Sequence, residues 1–100
     1  MAKSKDQIIS DFEEHISKSG ARYYSEWYVG IAADAKSRLF DDHNVSEKNH
    51  WWIHRKATSS SIARAVEKYF LDKGADGGPG GGSDNSVHVY GYKKGKQTDP

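Results

Sequence analysis

The run Trp27-Tyr28-Val29-Gly30-Ile31-Ala32-Ala33 is the longest uninterrupted apolar stretch of the chain. Seven residues fall far short of the roughly 20 needed to span a bilayer. Aromatic and β-branched side chains favour a strand, and β-formers begin upstream at Tyr23 and Tyr24. With no apolar–polar alternation past Trp27, the segment Arg22–Ala32 reads as a central strand buried on both faces. Gly30 within it points to a close backbone approach or a bulge. A strand of this kind needs cover above and below, so the remaining segments must supply two layers.

One layer comes from helices. Ser4 and Gln7 fit a capping box, with Ile8, Ile9, Phe12 and Ile16 at helical spacing and Gly20 as a stop. That predicts a helix over 5–18. A second helix over 60–73 follows the cap-rich Thr58-Ser59-Ser60-Ser61, with Ile62, Ala63, Ala65, Val66, Tyr69 and Phe70 inward and Gly74 after it. A short helix starts at Asp34, buries Ala35, Leu39 and Phe40, and ends by Asn44. Further strands are expected at 51–56 and around Val87, Val89 and Tyr92. The order α-β-α-β-α-β gives an α+β fold: a small three-stranded sheet flanked by helices, in a single domain.

Composition narrows the function. At 100 residues the chain is one domain. Only 35% of it is hydrophobic, but twelve aromatics, three of them Trp, concentrate burial in few positions. The ordered core is expected over about 5–93, with a flexible tail at 94–100. There is no cysteine, which excludes disulfide scaffolds, Cys-ligated zinc and thiol catalysis. No apolar h-region follows the first residues, so a cytoplasmic setting is expected, with no membrane partner. The net charge of +1 hides an uneven distribution. Residues 1–50 carry seven basic and nine acidic side chains; residues 51–100 carry eight and five. This balance excludes a basic protein that coats DNA and leaves room for local nucleic-acid contact.

Three residues carry the sharpest chemistry. Glu67 falls at the edge of its helix's apolar face, where a carboxylate can line a cleft between helix and sheet. Arg38 lies one turn into its helix, on the face of Asp34 and Asp42. Tyr28 lies on the buried strand. The plainer alternative is a solvated Glu67 and an Arg38 that pairs only with Asp42.

The stretch Tyr28-Val29-Gly30, with Arg38 ten positions after Tyr28, resembles the second half of the GIY-YIG nuclease signature. There a Tyr-Ile-Gly strand precedes a helix carrying an essential arginine. Ala63-Arg64-Ala65-Val66-Glu67 resembles the later helix that carries the family's metal-binding glutamate. The likeness covers roughly residues 24–73. It implies metal-dependent phosphodiester hydrolysis on DNA or RNA. Tyr28 (or its neighbour Tyr24) would position water, Arg38 would neutralise the phosphate, and Glu67 would hold magnesium or manganese. One turn after the arginine the family often has His or Tyr; here Asp42 stands there, and His43 follows one residue late. The first motif, Gly-Ile-Tyr, is absent upstream of Tyr28. The last strand, Val87-His88-Val89-Tyr90-Gly91-Tyr92, is the segment that could stand in for it.

Other features have two readings each. His50 and His54 share a strand face and could ligate zinc or nickel with His43 or His88; alternatively they are packing and surface residues. Residues 74–86 hold six of the ten glycines. They form a connector or a lid, with Asn85 at its end a possible phosphate contact. Trp51, Trp52, Tyr90 and Tyr92, interleaved with Arg55, Lys56, Lys93, Lys94 and Lys96, could stack on bases and contact phosphates. Two other functions stay open beside the nuclease. One is a catalytically inactive binding module of the same fold for nucleic acid or a protein. The other is a structural or accessory protein with no site.

Overall fold

The computed structural model describes residues 2–77 and 85–98. Helix α1 (Lys5–Lys18) starts with the expected capping box: the Gln7 N–H donates to Ser4 Oγ, and the Ser4 N–H donates to Gln7 Oε1. It buries Ile8, Phe12 and Ile16 and gives way to Gly20 at φ +79°. A 3-10 turn, Tyr24–Glu26, takes the place of the upstream part of the expected strand. The Glu26 carboxylate accepts from the N–H groups of Arg22 and Tyr23 and so fixes that turn. Strand β1 (Trp27–Ala32) follows, buried at every position.

The short helix after Asp34 is π-helical over Ser37–Asp42. Asp34 Oδ1 accepts from the Ser37 N–H, and the His43 N–H closes a five-residue turn onto the Arg38 carbonyl at 2.9 Å. Strand β2 (Trp52–Lys56) precedes α2 (Ser60–Asp72), whose first turn is capped by Ser59 Oγ accepting from the Ile62 N–H. Strand β3 (His88–Lys93) is the last element. Among the described residues no helix is long and apolar enough to cross a membrane.

The protein is α+β with a three-stranded antiparallel sheet in the order β1-β3-β2. The final strand therefore lies in the middle, and β1 lies at an edge rather than the centre. The reading of β1 as central rested on its unbroken apolar run; the expected burial on both faces is present but has another origin. Helices cover one face, the π-helical segment covers the other, and Asp76 bridges the open edge. The Val29 N–H donates to the Asp76 carbonyl and the Asp76 N–H to the Trp27 carbonyl, both at 2.9 Å.

The pleat sorts side chains into two apolar layers. Trp27, Val29, Ile31, Ile53 and Val89 pack against α1 and α2 through Phe12, Ala63, Val66 and Phe70. On the opposite face Tyr28, Ala32, Tyr90 and Tyr92 pack beneath Ala35, Leu39 and Val45. The expected tail is tied down as far as residue 98. Asn44 Nδ2 donates to the Gln97 carbonyl, and Thr98 Oγ1 accepts from the Gly95 N–H. Residues 78–84, most of the glycine-rich stretch, and the last two residues lie outside the described residues.

Gly30 faces Tyr90 across the β1–β3 pair, and a Cβ there would fall 2.6 Å from the Tyr90 hydroxyl. The neighbour is a buried ring, so it cannot swing aside. Gly30→Ala is expected to destabilise the fold by roughly 1–3 kcal/mol through overpacking. Urea denaturation followed by tryptophan fluorescence checks this; an unchanged midpoint would show that the ring has room to move.

Candidate functional site

The layer under the π-helix is made of aromatic rings with polar tips. Tyr28 and Tyr92 are cross-strand partners, with ring centroids 5.3 Å apart and nearly parallel planes. Tyr90, opposite Gly30, lies 6.4 Å from Tyr28. The imidazole of His43 sits on this group, its centroid 4.6 Å from that of Tyr28. Its Nε2 lies 2.8 Å from Tyr90 Oη and its Nδ1 3.2 Å from Tyr92 Oη. His43 is 5% exposed and Tyr90 1%. A neutral imidazole donates at one nitrogen and accepts at the other. Tyr90 donating to Nε2, with Nδ1–H donating to Tyr92, satisfies both ring nitrogens.

The π-turn explains why His43 is placed so well. In an α-helix the residue sharing Arg38's face one turn on is Asp42. A turn closed from residue i to i+5 brings His43 back instead. Arg38 still pairs with Asp42, Nη1 to Oδ2 at 3.2 Å. It also hydrogen-bonds Tyr90, and that bond is the main reason its pKa is held above the ordinary arginine value. A guanidinium only donates, so Tyr90 Oη accepts a charged hydrogen bond from Arg38 while facing an imidazole. Burial is the largest influence on Tyr90 and raises its pKa; the Arg38 bond opposes that, and Tyr28 and Glu67 reinforce it.

Glu67 projects from α2 and is 8% exposed. Its field reaches Tyr90. Burial pushes its pKa up, with Arg64 giving a partial offset. Among the described residues its carboxylate has no salt bridge or hydrogen bond. A buried carboxylate without a direct partner is costly and fits a hard divalent ion, which prefers oxygen and keeps several water or phosphate ligands. No group of three or more metal-ligating side chains occurs among the described residues, so phosphate and water would have to complete such a shell.

Tyr28, Arg38 and His43 are thus gathered around Tyr90, and Glu67, on α2, acts on it only through its charge. The other candidates lie elsewhere. Tyr24 belongs to the opposite layer, where it donates to Glu13 at 2.8 Å; burial, then that bond, pushes its pKa to about 12. Arg55 is bound to Asp11, which also pairs with Lys3. Lys93 Nζ donates to the Ser19 carbonyl, and Lys94 pairs with Asp76. Lys56 is exposed at the end of β2, opposite His88. Asn85 is exposed, and its carbonyl accepts from the Val87 N–H.

Of the histidines, His54 and His88 are close enough for His88 to help depress the His54 pKa, after burial, and both line a cleft of about 270 Å³ with Asp34 and Lys36. His50 is separate, its Nδ1 accepting from the Ser46 N–H at 2.7 Å. The residues of this cluster that motif spacing did not assign are Tyr90 and Tyr92. Their only local signal is the Tyr-Gly-Tyr of β3, whose meaning appears once β3 pairs with Tyr28-Val29-Gly30.

Glu67 offers a direct check. A raised carboxyl pKa means the folded state holds the proton to higher pH than the unfolded chain. Stability therefore falls as pH rises from the ordinary value of 4.5 through the folded value, and the whole cost is present above both. Glu67→Gln should be more stable at neutral pH by roughly 0.5–2 kcal/mol, the range common for single stabilising substitutions. The gain should vanish below the ordinary glutamate range. Thermal unfolding across pH in a chelator measures it; equal stability of the two proteins at neutral pH would contradict the isolated-carboxylate account.

No protein-family model matches the chain, and no curated protein or solved structure shows significant similarity to it.

Proposed function

We propose that the chain is a divergent GIY-YIG-like nuclease domain, hydrolysing phosphodiester bonds of DNA or RNA with magnesium or manganese in a cytoplasmic setting. The observation that carries this reading is the gathering of Tyr28, Arg38 and His43 around the Tyr90 hydroxyl, within the electrostatic influence of Glu67. The central position of β3 supports it, because β3 brings a tyrosine beside the Tyr28-Val29-Gly30 strand where the first motif is missing.

The roles follow from the chemistry. Arg38 is exposed and donates to the non-bridging phosphate oxygens, where charge grows as water attacks phosphorus. Tyr90 Oη orients that water and takes one of its protons. The phenol's own proton passes to His43 Nε2, leaving an imidazolium whose Nδ1–H stays on Tyr92. Tyr28 supports the imidazole ring from beneath. A divalent ion on Glu67 would supply positive charge to the departing oxygen. The near-neutral charge of the chain fits transient engagement of nucleic acid.

The near-complete burial of Tyr90 favours a second reading, a catalytically silent module of the same fold that holds nucleic acid or a protein. Incubation with plasmid and single-stranded substrates separates the two. The nuclease reading predicts cleavage with magnesium or manganese, none with a chelator, and a loss of about 100-fold or more in Arg38→Ala and in Glu67→Ala. An inactive wild type, or undiminished activity in both variants, defeats it. An inactive protein whose binding to nucleic acid weakens with salt is the silent module.

A further inference from the structure

The segment before β2 folds onto itself. The Ser46 carbonyl accepts from the His50 N–H at 3.1 Å, Ser46 Oγ accepts from the Asn49 N–H at 3.2 Å, and Trp52 Nε1–H donates to the Glu47 carbonyl at 3.0 Å. With α1 it walls an open cleft of about 570 Å³ lined by His15, Lys48, Asn49, His50, Trp51 and Trp52. That volume suits a small organic ligand. The two tryptophans differ in their commitments. Trp52 is stacked on His54 and edge-packed against Phe40. Trp51 is 42% exposed, one of only two large exposed hydrophobic side chains among the described residues.

Trp51 is also held in place. Its ring packs edge-on against His15 at 5.1 Å, and its carbonyl accepts from the Lys93 N–H at 2.9 Å. A fixed, exposed indole is a stacking platform with little entropy left to lose. Around it the polar groups are mostly donors. His50 accepts at Nδ1 from the Ser46 N–H, so its neutral ring carries the proton on Nε2. Lys48 is exposed and has no ion pair among the described residues. An aromatic platform with a ring N–H and an ammonium on its rim is complementary to a base with its phosphate. A base inside a duplex cannot offer its face, so the occupant is unpaired.

We propose that this cleft holds one unpaired nucleotide, its base stacked on Trp51, a base acceptor on His50 Nε2–H and its phosphate against Lys48. The proposal deepens the phosphodiesterase reading and rests on it for one point, the site to which the strand leads. Trp52, the second tryptophan of the cleft wall, shares a rung of the sheet with Tyr92 and Tyr28, two strand spacings, about 10 Å, from Tyr28, whereas Trp51 packs on His15 of α1, on the helix side of the sheet. A single strand held there would reach the candidate catalytic group by passing round β2, an edge strand of the sheet.

Binding of a fluorescently labelled oligothymidine, followed by anisotropy with the full chain carrying Glu67→Gln in chelator, tests this without cleavage. The expected result is tighter binding of single strand than of duplex. Trp51→Ala should weaken single-strand binding roughly 5- to 150-fold, while Trp51→Phe retains most of it. Lys48→Ala should reduce the salt slope by about 0.7. An abasic oligonucleotide bound as tightly as oligothymidine overturns the proposal without relying on any variant at Trp51. So does a Trp51→Ala affinity within twofold of the parent. If plasmid cleavage is present and unaffected by these results, the nuclease reading stands and the subsite fails. If Trp51-dependent binding occurs in a protein that never cleaves, the subsite stands and the nuclease reading fails.

Discussion

Everything at the candidate site depends on one missing methyl group. Because residue 30 has no side chain, the Tyr90 ring can lie across β1 with its hydroxyl where a Cβ would otherwise be. From there the phenol meets His43 and Arg38 and feels the field of Glu67. The close approach needs β3 beside β1, and β3 can lie there because the chain returns from α2 to insert its last strand between the first two. The fold is thus arranged around a strand pair whose two members come from opposite halves of the chain.

This dependence explains what the sequence revealed and what it concealed. Helices α1 and α2 were legible because their caps, Ser4 and Ser59, and their apolar periodicity are local properties. The strand segments were legible from β-forming composition. Strand order was not, since it is set by pairing between residues some sixty positions apart. Burial of β1 on both faces also imitated a central strand, because Asp76 and the π-helix cover what an edge normally exposes. His43 seemed one residue late relative to Arg38, since α-helical spacing was assumed and the chain closes a π-turn there. Tyr90 and Tyr92 carried no local mark of their role beyond Tyr-Gly-Tyr. Arg55, Lys93 and Lys94, basic residues in an aromatic context, proved to be committed to Asp11, the Ser19 carbonyl and Asp76.

The energetics follow the same division. The layer of Phe12, Trp27, Val66 and Phe70 is ordinary apolar burial, and it holds the domain together. The other layer is polar at its centre, with a buried imidazole between two phenols. Such groups rarely favour stability; their hydrogen bonds only recover what desolvation costs. A small, lean domain tolerates them when the first layer is well packed, and functional sites are where this kind of tension collects. The π-turn fits that pattern, for such turns are frequent at functional sites.

The measurement that tests the central claim most directly is magnesium-dependent cleavage by Tyr90→Phe. Phenylalanine keeps the ring over Gly30 and removes only the hydroxyl that joins Arg38 to His43. The account predicts a folded protein, with circular dichroism like that of wild type and cleavage lowered by about 10²- to 10⁴-fold, the range typical of a lost proton-transfer group. A Tyr90→Phe protein that cleaves as fast as wild type would contradict it.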